Sequence, residues 1–145
     1  MEKSKTKLSL EKDIFSFTAL RVWREIFPIV MDLEVCLADV PEGKKERLFK
    51  VLQDLLEFLV SGYYEFHLVE KYLSYQKARK QCGIALFLIY QMGFHKIMEK
   101  EKVLDFGRRL AECIKMCNSL IKNIENNIRR MDETKFLMER IKSER

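Results

Sequence analysis

Cys113 and Cys117 stand one helical turn apart, a spacing at which two thiolates can share a metal ion. Both fall on an apolar stripe, where cysteine behaves as a small hydrophobe, and the core reading is preferred. His67 and His95 are the only histidines. Neither sits in the Glu-x-x-His pattern of carboxylate-bridged metal bundles. Neither follows an arginine at the four-to-six-residue spacing of helical toxin ribonucleases. Ser61, Ser74 and Ser119 lack a local signature of the base that an activated nucleophile needs. There is no glycine-rich phosphate loop. Enzymatic chemistry is therefore not expected, and no metal or cofactor is implied.

The cations are more informative. Arg108, Lys115, Lys122 and Arg129 recur every seven residues. On a helix that spacing lines them along one face, and Arg109 and Arg130 widen it. Lys71, Lys77, Arg79 and Lys80 form a second basic run. Rows of Lys and Arg hold phosphate backbones through salt-sensitive contacts. Tyr63, Tyr64, Tyr72 and Tyr75 could add faces for unpaired bases, although packing or interface roles suit them better. Asp105, Glu112 and Glu125 lie near the same cations, so a mixed, solvated face is the competing reading. The formal net charge of +5 mildly favours an anionic partner.

These side chains need long helices to position them. The 145 residues suit one domain. Only 5 glycines and 2 prolines leave few turns. Residues 1–13 are polar and basic and read as a flexible arm. A first helix is expected from Ile14 to Ala38. Its stripe is Phe17, Leu20, Trp23 or Phe27, Val30, Leu33 and Leu37, and Pro28 should kink it. "DVPEG" ends it, with Asp39 and Glu42 marking the next start. The second helix carries Leu48, Phe49, Leu52, Leu55, Leu56 and Leu59. Gly62 then either caps it in a left-handed conformation or permits close contact within one unbroken helix.

A third helix is expected from Tyr64 to Met92, capped by Gly93. Its stripe runs through Leu68, Tyr72, Tyr75, Arg79, Cys82, Leu86 and Ile89. Arg79 on that stripe either snorkels or faces an interface or ligand. The fourth helix starts near Met98. Val103, Phe106, Leu110, Cys113, Cys117, Leu120, Ile124 and Ile128 form its stripe. Residues 131–145 are helix-compatible, as a continuation or as a separate arm with Phe136, Met138 and Ile141 docking elsewhere. The expected architecture is all-α: an up-down-up-down four-helix bundle over residues 14–130, with a helical C-terminal extension.

No apolar run approaches the roughly 18 residues of a membrane-spanning helix. The four cysteines lack the dense spacing of a secreted scaffold, and residues 1–12 carry no apolar signal core. A cytoplasmic setting with reduced thiols is expected.

"LRVWREIFPIVMDL", "VPEGKKERLF", "LLEFLVSGYYE" and "ALFLIYQMGF" together resemble a known four-helix-bundle family. It comprises the ribosomal-RNA intervening-sequence protein and the accessory variability determinant of diversity-generating retroelements. The resemblance spans roughly Ala19 to Ile124. Phe27-Pro28-Ile29 and the run from Phe58 to Gly62 favour the accessory determinant. The intervening-sequence branch usually has an Ile-Ala-Glu-Gly-Tyr stretch where this chain has Leu59-Val60-Ser61-Gly62-Tyr63. The resemblance implies a ring-like homopentamer with a basic outer surface. It also implies association with a reverse transcriptase and its template RNA, or DNA, in mutagenic cDNA synthesis. The alternatives are an intervening-sequence-type bundle protein and a protein–protein adaptor bundle without nucleic-acid affinity.

Overall fold

The structure, a computed structural model, describes residues 14–143. The arm expected over residues 1–13 lies outside them. A short 3-10 turn, Ser16–Ala19, precedes four helices: α1 Arg21–Cys36, α2 Glu42–Tyr64, α3 Leu68–Phe94 and α4 Lys100–Ser143. There is no strand among the described residues. None of their helices is long and apolar enough to cross a membrane.

Consecutive helices pack on one another, and α1 closes against α4. Short connections force neighbouring helices to run antiparallel. Cross-helix partners agree: Tyr72 meets Glu125, Arg79 meets Asn118 and Cys82 meets Leu110. The core is built from Ile26, Leu33, Leu52, Leu55, Leu59, Ile89 and Leu110 with three thiols, and no polar or charged side chain of the described residues is buried. Such apolar burial is the main source of stability in a bundle.

Several boundaries differ from the expected ones. Helix α1 begins at Arg21 rather than Ile14. Phe17 folds back onto Trp23, with ring centroids 5.0 Å apart, and onto Tyr64 at 6.4 Å. Leu20 is held extended by that turn, at φ −69 and ψ 115. The core stripe of α1 is correspondingly rotated. Val22, Ile26 and Ile29 face inward, while Trp23 and Phe27 stack on each other outside, at 4.9 Å. Pro28 lies within α1 on its exposed side. There the carbonyl that loses its helical donor can bond water.

Asp39 does not cap α2, whose N-cap is Pro41. The loop is held instead by Lys45, whose Nζ donates to the Leu37 carbonyl at 3.0 Å. Gly62 does not take a left-handed conformation, because no glycine here has positive φ. It lies in the last turn of α2, and a Cβ there would come within 2.7 and 2.9 Å of the Tyr75 ring. Close contact is thus its role, although the helix does end two residues later. Lys71 caps that end by donating to the carbonyls of Gly62 and Tyr63 at 2.8 and 3.0 Å. Gly93 is likewise helical and seats Val103, and the left-handed residue after α3 is Lys96, at φ 60. Helix α4 continues unbroken through residue 130 to Ser143, and every residue from Arg129 to Ser143 is exposed.

Candidate nucleic-acid interface

The face of α4 that turns away from the core carries Arg108, Lys115, Lys122 and Arg129, all exposed. Each step of seven residues rises about 10.5 Å along the helix. That matches roughly three phosphates of one duplex strand. Seven residues fall about 20° short of two full turns, so the row drifts slowly around the helix toward α3.

The ten cations singled out in the sequence do not form one surface. Arg109 turns toward α1, where its Nη1 lies 2.9 Å from Asp32 Oδ2 and 3.9 Å from Asp105 Oδ2. Its guanidinium also covers the Phe106 ring at 5.6 Å. Arg109 is therefore a clasp between α1 and α4. Lys77 turns the other way, over the Phe58 ring of α2 at 5.8 Å. Arg79 does join the row. It leaves the core position to Ala78 and donates to Asn118 Oδ1 at 2.9 Å. Asn118 lies one helical turn from both Lys115 and Lys122.

Lys115 pairs with Glu112 at 3.1 Å, both side chains more than half exposed. Such a solvated pair is weak and can exchange partners. The side chains of Arg108, Lys122, Arg129, Arg130 and Lys80 have no hydrogen bond or ion pair with any described residue. Glu125 is not aimed at a cation. It accepts from the Tyr72 hydroxyl at 3.1 Å, which raises the tyrosine's pKa and keeps the phenol protonated.

The tyrosines do not make a stacking platform for bases. Tyr75 is buried on Gly62, Tyr72 is engaged with Glu125, and Tyr63 and Tyr64 pack edge to face at 5.1 Å. Burial pushes the thiol of Cys117 up to about 11 and that of Cys113 to about 12, and raises Cys82 further. Thiols held this way are poor nucleophiles and poor metal ligands. Among the described residues, no three His, Cys, Asp or Glu side chains are grouped to hold a metal ion.

In comparisons with protein-family models, curated proteins and solved structures, nothing matches this chain.

Proposed function

We propose that this chain is a non-enzymatic nucleic-acid-binding protein whose contact surface is the outward row on α4, flanked by Arg79. The observation that carries this reading is the seven-residue repeat of exposed cations, most of them without a carboxylate partner among the described residues. Cations so spaced neutralise a phosphate backbone without reading bases. The family resemblance adds the biological setting. There the protein is an accessory subunit of a diversity-generating retroelement, binding reverse transcriptase and template RNA during mutagenic cDNA synthesis. Its part is to bind and position.

The test is charge reversal of Arg108, Lys115, Lys122 and Arg129 to Glu, with binding to RNA and DNA followed across a salt series. The parent should bind with log affinity falling by roughly 3 to 4 per decade of salt, the slope for about four phosphate contacts. The variant should keep its helical circular dichroism and lose that binding. A folded variant that binds as before places the interface elsewhere.

A further inference from the structure

The seam between α1 and α2 opens outward into a groove of about 500 Å³. Its walls are Phe17, Trp23 and Phe27, over an apolar floor of Leu56 and Val60. Trp23 and Phe27 stack with their planes 15° apart, and Phe17 closes on Trp23 edge to face. Phe27 still leaves 39% of its surface exposed. Gln53, Glu57 and Ser61 line the α2 rim at successive steps of about one helical turn, all three exposed. Elsewhere the chain covers its aromatic rings with its own cations. Lys71 lies over Tyr63 and Tyr75, Lys77 over Phe58, and Arg109 over Phe106. Among the described residues no cation does the same for Phe17, Trp23 or Phe27. The side chains of Gln53, Glu57 and Ser61 make no hydrogen bond or ion pair with those residues either. Lys50, two turns before Glu57 on the same helix, is engaged with Asp54 at 2.8 Å. Uncovered rings thus lie beside an unpaired carboxylate, and no Lys or Arg lines the groove.

We propose that this groove is a docking site for an arginine side chain presented by a partner protein. A guanidinium is planar and weakly hydrated, so it can extend the Trp23–Phe27 stack, where the electron-rich ring faces attract it. Its forked N–H donors need acceptors at the edge of that stack. The rim supplies the Glu57 carboxylate, flanked by the Gln53 amide oxygen and the Ser61 hydroxyl. The compact, strongly hydrated ammonium of lysine suits neither the stack nor the fork. An unpaired nucleobase would stack as well, but it brings a phosphate to a rim that holds a carboxylate and no cation. The helices pack around the bundle in the order α1, α2, α3, α4. The groove therefore lies across the bundle from the α3–α4 edge, toward which the cation row drifts. Docking here leaves that row free, and the proposal does not rest on polynucleotide binding.

Trp23 is the only tryptophan, so its fluorescence reports on this groove. The full chain is titrated with acetyl-Gly-Arg-Gly-amide at constant ionic strength. The expected result is a saturable change in emission, weaker when lysine replaces the arginine. The change should be absent with citrulline, which keeps the planar shape and loses the charge. Glu57→Gln and Phe27→Leu should each weaken the arginine response by about two- to fivefold, the scale of one exposed ion pair or cation–π contact. Both variants should keep their helical circular dichroism, and Glu57→Gln alters only an exposed side chain. Glu112→Gln, on α4, should respond as the parent does. The proposal is overturned by no saturable response to the arginine peptide, or by an equal response to the citrulline peptide. It is also overturned if Glu57→Gln binds the arginine peptide like the parent, or if guanosine monophosphate saturates the signal and the arginine peptide does not.

Discussion

Gly62 and Tyr75 show how one missing methyl group sets a helix spacing. A Cβ at residue 62 would lie 2.7 Å from the Tyr75 ring, so Gly62→Ala must displace the ring or separate α2 from α3. We expect a loss of about 1–3 kcal/mol, the usual cost of overpacking a tight core. In a Tyr75→Leu background the same substitution should be close to neutral. Thermal unfolding of the four chains checks it, and an alanine variant as stable as the parent would show that the ring simply moves aside. The sequence marked Gly62 but left two roles open, because the deciding partner is 13 residues away on another helix. Arg79 was obscured in a similar way. A three- and four-residue count places it on the core stripe, and only the packing shows that small Ala78 occupies that position.

Among elements, α4 was the most legible, because its apolar stripe stays regular from Phe106 to Ile124. Helix α1 was read less well. It carries an aliphatic stripe and an aromatic one side by side, and the count followed part of the wrong one. The last turns of α4 contribute little to the fold. Residues 129–143 are all exposed, and of the helix from Ile128 onward Ile128, Met131 and Asp132, beside the loop at Phe66, line a surface groove with the bundle. Removing residues 132–145 should therefore change stability by no more than about 0.5 kcal/mol, as for surface changes in general. A denaturant series checks it, and a larger loss would mean that this segment packs on the bundle.

At the scale of the whole molecule, the row on α4 was legible because a seven-residue period needs only one helix. Which other cations join that row and which stand outside it was not, since the deciding partners, Asn118 for Arg79, Asp32 for Arg109 and Phe58 for Lys77, are distant in sequence from the cations they hold. The buried thiols give the folded state a pH dependence of known sign. Unfolded thiols ionise near 9.0, whereas burial holds those of Cys117 and Cys113 to about 11 and about 12. Their protonated form contributes stability that is fully present below pH 9. Above it the unfolded chain releases protons that the fold retains, so stability falls as pH rises toward 11 and beyond. Thermal midpoints between pH 7 and pH 10.5, at constant ionic strength, should decline more steeply for the parent than for a Cys117→Ala variant.

The same distribution of sulfur makes the chain its own stopwatch. Cys36 lies in the open, while Cys82, Cys113 and Cys117 are enclosed. An alkylating reagent should consume one thiol at once and the other three only as often as the bundle breathes, so the slow phase times the opening of the core without any added label.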